Sequence, residues 1–173
     1  MLQGQPSAPD RTRTYTWQDP GPTVAALAVL SGADLLEAMS AGELPPPPIM
    51  RTLGIELVHV EVGRAAFALH PAELHYNPLG SVHGGVIATL LDSAAGCAVH
   101  SVLEVGTGYT SVDLTTKYLR PVTAGTGRVV AEGTVIARGA RTALAEARLT
   151  DERGRLLAHA TSTCLLFSVQ VAE

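Results

Sequence analysis

The stretch Asn77-Pro-Leu-Gly-Ser-Val-His83-Gly84-Gly85, running on into Val86-Ile-Ala-Thr-Leu-Leu-Asp92-Ser-Ala-Ala-Gly-Cys-Ala-Val99, decides how this chain is read. A loop rich in Pro, Gly and Asn opens into an apolar segment that contains a single carboxylate. That segment is too apolar for a surface helix and too long for an ordinary strand, so it predicts a buried helix from 84 to about 103. Asp92 sits inside it, where a charge must be paired or given a task because its desolvation is costly.

Downstream, four runs read as strands: 109–119, 127–138, 141–150 and 156–167. Upstream, 54–62 and 64–70 read as two strands joined in a hairpin at Gly63. The breaks between the later strands are short, which is typical of antiparallel neighbours because a parallel crossover needs more chain. Two strands, one long helix and four strands give an α+β fold in which a strongly curved antiparallel sheet wraps the central helix. The exposed edges of such a sheet favour pairing into a dimer.

Before the first strand, Pro45-Pro-Pro-Pro48 reads as a stiff extended spacer and as the main internal boundary. It separates an extension, 1–48, from the principal domain, 49–173. Within the extension, 23–39 carries Val24, Leu27, Leu30, Leu35 and Leu36 at roughly helical spacing, interrupted by Ser31-Gly32, and predicts one or two short helices. The first 20 residues are expected to be loose, with Trp17 either a docked anchor or a partner-binding residue.

The composition narrows the function. With 173 residues, 46% of them hydrophobic, the chain can bury one real core. A net charge of −4 gives no general attraction to nucleic acid or to anionic membranes. Cys97 and Cys164 have no paired spacing and read as small buried hydrophobes. His59, His70, His75, His100 and His159 form no compact metal-ligand pattern, so no metal is expected. No leader or membrane span is recognised in the sequence, which makes a cytoplasmic protein the expectation.

Helix geometry then constrains the chemistry. Gly84, in the first turn, has a backbone N–H with no intrahelical acceptor, placed in the positive field of the helix start and suited to polarising a carbonyl. Gly85 beside it allows close approach by a ligand. Asp92 lies eight residues further on, roughly 12 Å along the same axis. One helix cannot easily present both groups to one carbonyl, so a shared reaction would take Gly84 from one subunit and Asp92 from another.

With these residues in place the chain resembles the hotdog-fold acyl-CoA thioesterases of the phenylacetate-degradation (PaaI-like) type, which include one class of 4-hydroxybenzoyl-CoA thioesterases. The likeness spans about 53–166. It rests on Asn77, Gly84 and Asp92 at seven- and eight-residue spacings, on Ser111-Val-Asp113, and on Lys117-Tyr-Leu-Arg-Pro121. The resemblance implies hydrolysis of acyl-CoA thioesters to free acid and coenzyme A. Asp92 matches the general base or nucleophile, Gly84 the carbonyl-polarising N–H, Asn77 the orienting amide and Ser111 the residue that positions water. His83 is expected to order the loop and helix start rather than to act as base. Arg120 and the turn Arg138-Gly139-Ala140-Arg141 match places where the nucleotide end of coenzyme A is met. No cofactor is implied, since coenzyme A belongs to the substrate. The implied assembly is a homodimer with shared active sites, extended to a homotetramer.

Ordinary structural roles stand beside each of these. Asp92 could bond Thr89, Ser93 or a neighbouring chain, and Asn77 could serve only the turn before Pro78. Gly84 could be purely conformational, His83 a cap, Ser111 one hydroxyl in a Thr/Ser-rich strand, and the arginines solvated charges. A noncatalytic acyl-CoA or acyl-carrier binding module is the alternative function.

Overall fold

The computed structural model describes residues 10–169. Four helices, α1 (Gly21–Ala26), α2 (Gly32–Ala41), α3 (Pro48–Leu53) and α4 (Gly84–His100), accompany six strands. The strands are β1 (Ile55–Glu61), β2 (Arg64–Leu69), β3 (Thr107–Tyr118), β4 (Val129–Arg138), β5 (Thr142–Asp151) and β6 (Leu156–Ser168). They form one antiparallel sheet in the order β1-β2-β4-β5-β6-β3. The sheet curls around α4, which packs against β2 through β6. This is the α+β hotdog architecture expected from the sequence.

Small residues allow the helix to lie close. Ala65, Gly133, Ala147 and Ala160 stand in one register row across β2, β4, β5 and β6. Ala94, Ala95 and Ala98 of α4 are fully buried in the same core. At the closest point a Cβ on Gly133 would stand 2.1 Å from the Ala94 carbonyl oxygen, so backbone meets backbone there. Leu90, Leu91 and Val99 on the helix, with Phe67, Leu149 and Leu157 on the sheet, fill the volume around this contact. Each contributes about 1.5–3 kcal/mol by its burial.

The ends of α4 are tied to the sheet. The hairpin between β1 and β2 turns at Gly63, whose φ of 83° lies in the left-handed region that glycine occupies without strain. Its N–H donates to Ser101 Oγ at 2.8 Å, and Ser101 Oγ donates to the Ala98 carbonyl at 2.7 Å. At the other end the chain between β3 and β4 wraps the start of the helix. There Val82 N–H donates to Val122 O at 2.8 Å, and Ala124 N–H to the Tyr76 hydroxyl at 2.9 Å.

Three expectations need correction. The short break after β3 does not join neighbours: β3 pairs with β6, while β4 enters between β2 and β5. The wrap around the α4 N-terminus spans that distance in few residues. The proline run is extended only as far as Pro47, at φ −53° and ψ 138°, because Pro48 opens α3 at a position where its missing N–H is no loss. Residues 10–20 are not simply loose, although most lack regular structure. Arg11 pairs with Glu73 at 2.7 Å, and Arg13 donates to the carbonyls of Thr52 and Arg51 at the end of α3. Residues 1–9 lie outside the described residues. Trp17 is 61% exposed beside Tyr15 and is not a docked anchor. Among the described residues no helix is long and apolar enough to cross a membrane.

Loop 70–83 hangs on His75. Ala72 N–H donates to its Nδ1 at 3.0 Å, which leaves Nε2–H to donate to Leu53 O at 3.0 Å. The ring is thereby held as the neutral Nε2–H tautomer. Burial, with Arg13 as a smaller repulsive charge, lowers the pKa of His75 below its ordinary 6.5, against the opposing effect of the Leu53 bond. Burial also lowers that of His100.

Two outcomes are expected. Gly133→Ala should destabilise the fold by about 2 kcal/mol or more, because the backbones must part to admit one methyl, and urea unfolding would measure it. Stability should also fall as pH drops below 6.5, where the unfolded chain takes up protons that the two folded histidines refuse. Unfolding midpoints at pH 7.5 and 5.5 (about one unit either side of 6.5) should differ less in His75→Gln than in wild type. An unchanged difference would show that His75 does not carry it.

Candidate active site

The apolar run of α4 places Asp92 half-buried in the middle of the helix, facing β3. Ser111 Oγ donates to Asp92 Oδ1 at 2.9 Å. The partners weighed from the sequence turn inward along the helix instead: Thr89 Oγ1 donates to Gly85 O at 2.9 Å and Ser93 Oγ to Thr89 O at 2.8 Å. Asp92 Oδ2 receives no hydrogen bond from any described residue.

A bulge in β3 aims Ser111. The register slips between Ser111, opposite Cys164, and Asp113, opposite Thr163, so Val112 is the extra residue. Its effect is to reverse the parity of the strand. Tyr109 and Ser111 face the helix on one side of the bulge, and Leu114, Thr116 and Tyr118 on the other. Ser162 Oγ donates to Asp113 O at 2.9 Å, and Asp113 Oδ1 accepts from Thr163 N–H at 3.1 Å. The bulge is thus pinned on both sides.

A second set of groups gathers at the start of α4. His83 is the N-cap, its Nδ1 accepting from Gly85 N–H at 2.9 Å. Gly84 N–H has no acceptor among the described residues. The Tyr118 ring lies over Gly84, where an added Cβ would stand 3.2 Å from it, and the Tyr118 hydroxyl donates to Gly84 O at 3.0 Å. Asn77 Oδ1 accepts from Leu79 N–H at 2.8 Å, and its Nδ2 donates to Ser81 Oγ at 3.1 Å, which fixes the turn of the loop. Asn77, Gly84, Tyr118 and Arg120 line one cavity of about 370 Å³. Arg120 also donates to Leu156 O.

Within one chain the two sets stay apart. Gly84 and Asp92 are separated by about 12 Å of helix axis, and Asp92 does not line the cavity that holds Gly84 and Asn77. Arg138, Gly139 and Arg141 form a third, exposed group at the β4–β5 turn, closed by Gly139 N–H donating to Thr142 O at 2.8 Å. Among the described residues no cluster of three or more His, Cys, Asp or Glu is disposed to hold a metal.

On the side of Asp92 towards the α4 C-terminus the surroundings are apolar. Cys97 is half-buried, yet packing pushes its thiol up to about 12, with Asp92 adding to the rise and a hydrogen bond from Tyr109 opposing it. Tyr109 is likewise raised well above 10, chiefly by burial, with smaller contributions from Cys97, Cys164 and Asp92. The site residues missed from sequence are Tyr109 and Tyr118. A strict period of two puts Tyr109 on one face with Ser111 and Asp113 and puts Tyr118 on the other, and only the bulge brings both tyrosines to the helix side.

Comparison with known proteins agrees with the fold. The model of the thioesterase superfamily matches residues 79–158. A 1,4-dihydroxy-2-naphthoyl-CoA hydrolase of Listeria monocytogenes is 32% identical over 109 residues, 63% of this chain and 87% of that protein. Human acyl-coenzyme A thioesterase 13 is 32% identical over 115 residues, 65% of this chain and 81% of that protein. Among solved structures, a phenylacetic acid degradation-related protein of Ralstonia eutropha superposes with a TM-score of 0.68 at 29% identity, over 75% of this chain and 98% of that one. The PaaI protein of E. coli shares the fold, with a TM-score of 0.70 at 22% identity over 83% and 99% of the two chains. The chain belongs to the thioesterase superfamily and carries its hotdog fold.

Proposed function

We propose that this protein hydrolyses acyl-CoA thioesters to the free acid and coenzyme A, at sites built between two copies of the chain. The observation that carries the reading is the Asp92–Ser111 pair, a carboxylate on an otherwise uncharged helix with one oxygen held by a hydroxyl and the other open. The relatives named as CoA hydrolase and acyl-CoA thioesterase support the substrate class.

As general base, Asp92 takes a proton from water that Ser111 helps to position. The hydroxide adds to the thioester carbon, and the oxyanion accepts a hydrogen bond from Gly84 N–H. Collapse breaks the C–S bond, and the thiolate leaves and is protonated. As nucleophile, Asp92 instead forms the C–O bond itself and expels the thiolate, and water then cleaves the mixed anhydride. Both routes consume one water and need little acid help, since a thiolate is a good leaving group. Asn77 orders the loop beside the carbonyl, His83 orders the helix start, and Gly85 leaves room for the thioester. Arg120, Arg138, Gly139 and Arg141 are assigned to the phosphates and nucleotide end of coenzyme A.

The shared site follows from separation and from the sheet edge. Gly84 and Asp92 of one chain are too far apart along α4 to meet one carbonyl. β3 ends the sheet, and among the described residues nothing pairs with its outer edge, whereas α2 and α3 pack against β1 at the opposite end. A second copy adding to β3 extends the sheet and brings the two helices together.

Asp92→Asn should lower kcat on acyl-CoA esters by about 100-fold or more while leaving assembly and binding of the ester intact; equal turnover would remove Asp92 from the mechanism. Gly84→Pro deletes the N–H at the first helical position, where proline is tolerated. Mixed and refolded with Asp92→Asn, it should recover about one quarter of wild-type activity, because half the random dimers carry one intact site out of two. No recovery would place both groups on one chain.

A further inference from the structure

We propose that Tyr109, braced from behind by His100 and by Gly32 at the start of α2, forms the end wall of the acyl-binding space and sets the size of acyl group accepted. The inference rests on the hydrolytic reading above and adds to it a residue, and a stretch of the N-terminal extension, that act on selectivity.

Position is the first argument. Tyr109 and Ser111 are two apart on the inward face of β3, and Gly96 and Asp92 are four apart on one face of α4. Tyr109 over Gly96 is therefore the layer next to the Ser111–Asp92 pair, about 6 Å along the helix. Gly96 admits the ring only because it has no side chain, since a Cβ there would stand 2.7 Å from the Tyr109 hydroxyl and 2.9 Å from its ring.

Polarity is the second. Towards the α4 N-terminus, the layer beside Asp92 carries the Thr89 hydroxyl, and Ser93, the residue after Asp92, turns its own hydroxyl that way onto Thr89 O. Towards the C-terminus the next layer carries Gly96, Cys97 and the Tyr109 ring, whose hydroxyl lies against Gly96. An acyl group whose carbonyl is held at Asp92 must place its next carbons within a few ångströms, and the apolar side is the one that gains by burying them. Tyr109 and Cys97 are only half-buried in the single chain, so this side is still open beside the carboxylate.

The brace is the third. The His100 ring meets Tyr109 edge-on, with centroids 5.5 Å apart at 72°. Behind it, Gly32 is packed so closely that a Cβ would stand 1.7 Å from the His100 carbonyl oxygen and 2.3 Å from its ring. Gly32 N–H donates to Leu103 O at 3.0 Å, and Leu35 and Leu36 of α2 are buried. The extension thus holds His100 against Tyr109 and denies the tyrosine room to retreat, which makes His100 and Gly32 positioning residues.

The test is the chain-length profile, read in two ways on each variant: kcat/KM for straight-chain acyl-CoA esters, and binding of the matching S-alkyl-CoA thioethers, which cannot be cleaved. Tyr109→Ala should move the cut-off to longer chains and raise the long-to-short ratio in both readouts by about 10-fold or more. Tyr109→Leu, a gentler change should the alanine variant fold poorly, should move it the same way. Tyr109→Phe, which keeps the ring, should keep the cut-off. His100→Ala should raise the ratio about 3-fold and add nothing in the Tyr109→Ala background, the non-additivity expected of a residue acting through another. A merely structural role would lower all chain lengths alike. An unchanged ratio in Tyr109→Ala and Tyr109→Leu overturns the wall. Absence of turnover in wild type, with thioether selectivity still relaxed by these substitutions, overturns the hydrolytic reading and supports the wall.

Discussion

The contact on which the rest of the structure depends is the backbone approach of α4 to β4 at Gly133 and Ala94. A buried helix wrapped by a sheet normally stands off by the length of two side chains. Here the row Ala65, Gly133, Ala147, Ala160 meets Ala94, Ala95 and Ala98, and the stand-off disappears. The faces that follow are then determined. With the small side of α4 against β4, Asp92 and Gly96 are carried round towards β3, where Ser111 and Tyr109 receive them. A methyl group at Gly133 would therefore act at the site as well as in the core.

β3 carries two duties that a regular strand could not combine. It must close the sheet over α4, and it must offer Ser111 to Asp92 without burying a row of hydroxyls. The extra residue Val112 resolves this by changing which face the strand presents halfway along. Ser111 bonds the carboxylate, Tyr109 lies over Gly96, Leu114 returns to the core, and Tyr118 reaches the glycine at the helix start. The same strand keeps its outer edge unpaired among the described residues, while β1 at the other end is backed by α2 and α3.

How much of this is legible in the sequence follows from the range of each signal. The hairpin at Gly63, the six strands and the start of α4 at Gly84 are local events with local marks: a glycine with positive φ, a period of two, and a polar cap before an apolar run. Strand order is not local. The short segment after β3 looks like any turn, and nothing in it states that it wraps a helix end. α3 is hidden because Pro48 is read as a helix breaker, although at the first helical position it breaks nothing. At the site, Asp92, Gly84 and Asn77 stand out as polar or small groups in unusual surroundings. Tyr109 and Tyr118 do not, since a bulge leaves no reliable mark in composition, and their partners Gly96 and Gly84 are distant in sequence. Arg11 and Arg13 likewise find Glu73 and the end of α3 only after folding.

The spacing of Gly84 and Asp92 has an electrostatic logic of its own. A free N–H at a helix start polarises a carbonyl because of the partial positive charge gathered there, and a carboxylate held beside it in the same chain would take that hydrogen bond and cancel the field. Eight residues of helix keep the donor unspent: Gly84 N–H has no acceptor, and Asp92 Oδ2 has no donor, among the described residues. Each copy of the chain therefore carries both members of a polar pair, held too far apart along α4 to satisfy each other. In the proposed dimer the two members meet only across a substrate carbonyl, so the donor and the base are brought to bear on the thioester rather than on each other.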